Sequence, residues 1–341
     1  MATTTFKCPN CGGGLQFNPR SQKSKCEFCL SEFSDAEIVE LNNRTTKEVI
    51  DNSLKEYSCK SCGAHVVTEE TTSATFCYYC HNPVLVTERL AGEFRPSKII
   101  PFTYNKEKAM DSFLRWAKSK KFVPKEFYST SQLEKITGIY LPYWMADLEA
   151  NIDYSGKGTN LRVWRVGDKE YTEFKEYKIE RQGTIDVDNV HEVALGKIDK
   201  GLIDSISPYD ESKAIDFSMS YLSGFFAEKY DIEKNQVKPQ IEERVRGYAT
   251  SLIQDTIGNY GKISMDKANM DLSIKEWKYI LLPAWILTYN YHGRTYIYAV
   301  NGQTGKSYGE LPVDNKKLGM TSGAIAGVVF AITLVGGLLV W

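Results

Sequence analysis

The sequence predicts an α+β protein with two small zinc-ribbon units, a central domain and one C-terminal transmembrane helix. The central domain is expected to be an antiparallel sheet with helices, carrying a two-fold internal repeat. Three observations predict this. One cysteine spacing occurs twice and uses every cysteine of the chain, a Leu-Pro-x-Trp string occurs twice, and no charged residue follows Lys317. The expected units are residues 1–34 (first ribbon), 35–54 (connector), 55–90 (second ribbon), 95–312 (central domain) and 318–341 (membrane helix).

Cys8, Cys11, Cys26 and Cys29 form C-x2-C-x14-C-x2-C, and Cys59, Cys62, Cys77 and Cys80 repeat it 51 residues later. A C-x2-C turn brings two thiolates to one point. Two such turns joined by a hairpin complete a tetrahedral sulfur site, which suits zinc. The two sets therefore predict two structural zinc ions. Cys8-Pro9-Asn10-Cys11-Gly12 also has the form of a rubredoxin knuckle, so iron stands as the alternative metal. Gly12 and Gly63 follow the second cysteine of each first turn, where a left-handed backbone is often needed. Units of about 30 residues cannot build a core alone, so the metal must stabilise each one. His65 and His81 lie beside complete ligand sets and are read as neighbours rather than ligands.

In the central region Asn105 caps a helix predicted from Lys106 to about Ser119, with Ala109, Phe113 and Ala117 on its buried face. Trp144, Ala146, Leu148, Ala150, Ile152 and Tyr154 alternate with polar residues, the mark of a strand with one wet face. Ser155–Gly158 reads as a turn leading to a partner strand over Leu161–Val166. A second helix pattern opens at Pro239. Leu141-Pro142-Tyr143-Trp144 and Leu282-Pro283-Ala284-Trp285 stand 141 residues apart and suggest two related halves. Proline within each string predicts a strand start or a sheet edge. The aromatic run Tyr221–Tyr230 between the halves is expected to be a packed helix.

Composition narrows the function. The 42 Lys and Arg balance 43 Asp and Glu, leaving a net charge of -1, which argues against a basic nucleic-acid binder. The first ribbon carries Lys7, Arg20, Lys23 and Lys25 against Glu27 and Glu32, too little for a basic stripe. No catalytic residues emerge. Gly305-Lys306-Ser307 lacks the earlier glycine of a phosphate loop, His191-Glu192 has no second histidine four positions on, and no cysteine is spare for a nucleophile. The chain is therefore not expected to be an enzyme. The start of the chain shows no secretory signal, which predicts a cytosolic N-terminal part with reduced thiols.

Residues 318–341 carry no ionisable side chain and predict a tail-anchored transmembrane helix, with Lys316 and Lys317 on its cytosolic side. The expected location is the cell membrane, single-pass, with the N-terminal part cytosolic. Gly319, Gly323 and Gly327, spaced by four, predict a face for self-association.

The two cysteine sets, Leu141-Pro142-Tyr143-Trp144, Tyr221–Tyr230 and the apolar tail together resemble a bacterial family of TFIIB-type zinc-ribbon-containing membrane proteins. That resemblance implies PspA-like or SPFH-domain partners and a role in envelope stress or membrane organisation. The resulting expectation is a membrane-tethered zinc-binding adaptor or scaffold that recruits partner proteins. The alternative is a membrane-associated zinc-ribbon protein acting on nucleic acid or in transcription.

Overall fold

The computed structural model describes residues 3–4, 6–42, 56–58, 65–68, 71–76, 83–124, 127, 136–291 and 294–340. Its frame is a pair of 30-residue antiparallel strands, Thr137–Val166 and Lys262–Tyr291. They pair from Thr137 opposite Ile286 to Thr159 opposite Lys262. Lys169–Val193 pairs antiparallel along the other side of the first strand, so a three-stranded ribbon extends from the body. Leu148, Ala150 and Ile152 are buried on one ribbon face. The helix Lys234–Thr256 covers this face with buried Val237, Ile241, Val245 and Ala249. The opposite face carries cross-strand ion pairs, including Lys275 with Glu149 at 2.9 Å and with Asp186 at 2.6 Å.

The two Leu-Pro-x-Trp strings are direct neighbours, with Leu141 opposite Leu282. They make matching contacts. Each strand first receives a short parallel strand: Ile139 and Tyr140 pair with Phe226 and Ala227, and Ile280 and Leu281 pair with Lys98 and Ile99. Each then changes partner, to Lys169–Val193 from Tyr143 onward and to Arg294–Asn301 from Ala284 onward. Pro142 and Pro283 sit at these two seams. Each carbonyl accepts a backbone N–H, from Ala194 at 2.9 Å and from Gly302 at 2.8 Å. The Ala194 carbonyl accepts from Asp231 and Ile232, and the Gly302 carbonyl from Thr103 and Tyr104. The indoles close the match. Trp144 Nε1 donates to the Ile232 carbonyl at 2.8 Å and Trp285 Nε1 to the Tyr104 carbonyl at 2.6 Å. Helices start just after both carbonyls, at Lys234 and Lys106, capped by Glu233 and Asn105.

Several expectations need correction. Among the described residues the sheet is mixed and 11-stranded rather than a separate antiparallel domain. Thr3–Thr4, Thr72–Phe76 and Pro83–Val86 join it, so segments read as self-contained ribbons supply strands to the body. Burial explains this: Ala74, Val84, Leu85 and Val86 are almost fully covered only within that larger sheet. Prolines 142 and 283 lie in interior strands, tolerated because each occupies the gap where one neighbour replaces another. Ser155–Gly158 does not turn; the strand runs on to Val166 and reverses at Gly167, whose φ is 60°. The glycines serve close approach instead, since a Cβ on Gly156 would meet Ser264 O at 2.5 Å. The Tyr221–Tyr230 run is a 3-10 turn, Met219–Leu222, then Gly224 at φ 95° and the strand Phe226–Glu228. The second helix starts at Lys234, with Pro239 inside it.

The C-terminal helix Asn315–Val340 begins at Asp314, whose carboxylate accepts from the Lys316 and Lys317 N–H groups at 3.1 Å. Among the described residues, no helix is long and apolar enough to cross a membrane. The apolar side chains from Leu318 to Ile332 include the small Ala324, Ala326 and Ala331. Gly319, Thr321, Ser322, Gly323 and Gly327 dilute them further. This overturns the transmembrane helix over 318–341, the tail anchor and the single-pass placement in the cell membrane.

The matched indole bonds yield a first prediction. Trp144→Phe and Trp285→Phe each leave a carbonyl without its partner in a part-buried setting. Each should lower unfolding free energy by about 1–3 kcal/mol, by similar amounts, in urea denaturation. A large loss from one and none from the other would contradict the matched roles.

Candidate metal centre

The candidate metal centre is built on a three-stranded sheet of Leu15–Asn18, Lys23–Cys26 and Glu32–Phe33. Cys8-Pro9-Asn10-Cys11 and Cys26-Glu27-Phe28-Cys29 form two knuckles with one bonding pattern. The Cys8 N–H donates to the Gly13 carbonyl at 2.7 Å and the Gly12 N–H to the Cys8 carbonyl at 2.8 Å. In the second, the Cys26 N–H donates to the Ser31 carbonyl at 2.9 Å and the Leu30 N–H to the Cys26 carbonyl at 3.0 Å. The residue after each second cysteine is left-handed, Gly12 at φ 75° and Leu30 at φ 62°. Glycine takes that conformation freely, whereas leucine pays a steric cost of about 1–2 kcal/mol.

The two knuckles bring four sulfurs together. Cys8, Cys11, Cys26 and Cys29 each offer one ligand atom, all within 4.8 Å of one another, and could hold a metal ion. Cys8 Sγ lies 3.4 Å from Cys29 Sγ, and Cys11 Sγ lies 3.4 Å from Cys26 Sγ. Four sulfurs bound tetrahedrally at about 2.3 Å would stand about 3.8 Å apart, so the cluster already has the dimensions of a sulfur-only site. Cys8 and Cys26 are buried and Cys11 and Cys29 exposed, so one thiol of each knuckle faces the interior.

The electrostatics favour a cation. Ser31, through its hydroxyl and its backbone, holds the Cys29 thiol down to about 6. The Gly13 backbone draws the Cys11 thiol down, but Cys26, Cys29 and Cys8 crowd it and push it up to about 12. Four thiolates this close repel one another unless a positive ion sits among them. Asn10 and Ser31 are supporting residues that the cysteine spacing did not single out. Asn10 Nδ2 donates to Ser31 Oγ at 2.9 Å, and Ser31 Oγ lies 3.3 Å from Cys29 Sγ, so one knuckle orients a sulfur of the other. The signal available in sequence was a hydrogen-bonding side chain two residues after Cys29. Cys59, Cys62, Cys77 and Cys80 lie outside the described residues.

The hairpin is fastened to the body. The Phe17 N–H donates to the Ser223 carbonyl at 2.8 Å, and the Ser223 hydroxyl donates to the Leu15 carbonyl. Gln22 Nε2 reaches the Phe102 carbonyl at 2.8 Å, and the Phe17 ring meets Tyr221 edge-on at 5.0 Å. A cleft of about 560 Å³ separates the two, with Phe17, Phe225 and Trp285 on its walls and Arg20 and Lys25 on its rim. At the free end of the hairpin Phe28 and Leu30 are 76% and 65% exposed.

The chain is 32% identical over 326 residues to the uncharacterized protein YdjG of Bacillus subtilis (strain 168), covering 96% of this chain and 95% of that protein. No family model matches the chain, and no solved structure matches it.

The strained knuckle is testable. Leu30→Gly removes the left-handed cost and little packing, so it should raise unfolding free energy of the metal-loaded protein by up to about 1 kcal/mol. Lower stability in guanidinium denaturation would show that Leu30 is held by contacts that outweigh the strain.

Proposed function

The chain belongs to the family of Bacillus subtilis YdjG, and on that footing we propose that it is a zinc-stabilised adaptor that binds partner proteins through its metal hairpin. The observation that carries the reading is the closed cluster of four sulfurs on a hairpin bonded to the main sheet. Four cysteine ligands saturate zinc and leave no position for water or substrate, so the metal's role is to hold shape. When bound, zinc supplies four strong bonds that cross-link the knuckles, on the order of 10–16 kcal/mol at neutral pH. Cys8 and Cys26 anchor it from the interior and Cys11 and Cys29 from the surface. Asn10 and Ser31 orient Cys29.

The second set, Cys59, Cys62, Cys77 and Cys80, has the same spacing and holds a second zinc ion. The exposed Phe28 and Leu30 supply an apolar contact point on a rigid support, the kind of anchor that protein interfaces use. By the family resemblance noted in the sequence, TFIIB-type zinc-ribbon proteins, the partners are PspA-like or SPFH-domain proteins. The near-neutral charge gives little support to a nucleic-acid partner.

Two measurements test the reading. Elemental analysis of the purified full chain should return two zinc ions, falling to one in a Cys11→Ser, Cys29→Ser variant; iron, or an unchanged metal content in that variant, would overturn the assignment. Phe28→Ser with Leu30→Ser should keep both zinc ions and lose the proteins cross-linked to the wild type in cells. Recovery of nucleic acid in place of protein would reject the adaptor role.

A further inference from the structure

A second feature of the molecule lies far from the metal. The last turns of the helix Lys234–Thr256 stand away from the ribbon and leave a groove of about 610 Å³. Its walls are Ile152, Tyr154, Ile253, Ile257, Ile263 and Met265, with Arg246 and Thr250 along the helix side. The volume falls in the ordinary range for small-molecule sites, which are mostly apolar with few polar groups. Ile263 and Met265 are 47% and 62% exposed, so these large apolar side chains lack the cover their neighbours have.

The groove also has a charged end. Arg246 Nη1 donates to the Met270 carbonyl at 2.8 Å, and this is a neutral acceptor. Among the described residues the Arg246 guanidinium has no carboxylate partner, whereas Arg244, two residues away, meets Glu192 at 2.9 Å. An apolar channel with a guanidinium at one end that meets no carboxylate among the described residues is complementary to an anion with an aliphatic tail. Arg246 and Ile257 lie about 16 Å apart along the helix axis, the length of an extended chain of about 13 carbons.

We propose that this groove binds a free medium-chain fatty acid, its tail between the helix and the ribbon and its carboxylate on Arg246. The tail replaces solvent against Ile253, Ile257, Ile263 and Met265. The carboxylate gives Arg246 an acidic partner that none of the described residues supplies. A deliberately apolar patch with no ligand would not need a cation at its end, and a neutral lipid would leave that cation unused.

Calorimetric titration of the full chain with dodecanoate, below its micellar concentration, tests this. One dodecanoate should bind per chain, about tenfold tighter than dodecanol. Arg246→Gln should remove that preference and leave dodecanol binding unchanged. Ile253→Trp should fill the groove and abolish binding; Thr250→Trp, at an exposed position, does the same without disturbing buried packing. Phe174→Ser, on the exposed ribbon tip, should change nothing. No binding, equal affinity for acid and alcohol, or loss through Phe174→Ser would overturn the proposal. So would a dimer in sedimentation that Thr250→Trp breaks, which would give the groove to a second copy of the chain.

Discussion

Everything in this molecule hangs on one pairing, that of Thr137–Val166 with Lys262–Tyr291. Where Leu141 meets Leu282, both strands are interior, and each changes its outer neighbour at a proline. A proline cannot donate to a ladder, so it fits only where the ladder is already interrupted. That interruption in turn frees the proline carbonyl to anchor the chain returning from the next strand. Each indole then ties the start of a helix to the opposite half. Helices, short parallel strands and crossing point are held by the same few bonds, made twice.

The metal hairpin depends on this frame rather than the reverse. Residues 6–33 bury Phe6, Leu15 and Phe17, too few apolar groups to fold unaided. They gain stability from two sources: the sulfur cluster at one end, and the bonds to Ser223 and Phe102 at the other. The bonds to Ser223 land beside Phe225, whose ring stacks on Phe102 at 4.2 Å within the main core. A rigid frame, a docked hairpin and an exposed apolar tip form one continuous structure, suited to presenting Phe28 and Leu30 in a fixed place.

How much of this was legible in the sequence follows from how local each signal is. The capped helix after Asn105 and the alternation from Trp144 to Tyr154 depend on neighbouring residues, and the structure has a helix over Lys106–Lys118 and a strand there. The first cysteine set could be read because ligand chemistry restricts spacing, and its four sulfurs do come together. The partner changes at Pro142 and Pro283 could not be read, because the first neighbour at each, Phe226–Ala227 or Lys98–Ile99, comes from more than 80 residues away. Gly156 and Gly158 looked like turn residues, yet they serve the approach of Ser264 and Tyr260 across the ribbon. The aromatic run at Tyr221 looked helical, but Gly224 and the open edge beside Ile139 draw it into the sheet. The groove along Arg246 was invisible for the same reason: it exists only where two remote elements diverge.

The central claim is that metal fastens a hairpin onto a frame that stands by its own strand pairing. Amide hydrogen exchange across the full chain, with and without a strong zinc chelator, tests it most directly. The expected result is that chelation removes protection from the knuckles at Cys8–Gly13 and Cys26–Ser31, from Phe17 and from Ser223–Phe225. Protection should persist at Tyr140–Ala146 and Tyr279–Leu287. Loss of protection in both regions together, or in neither, would contradict the account.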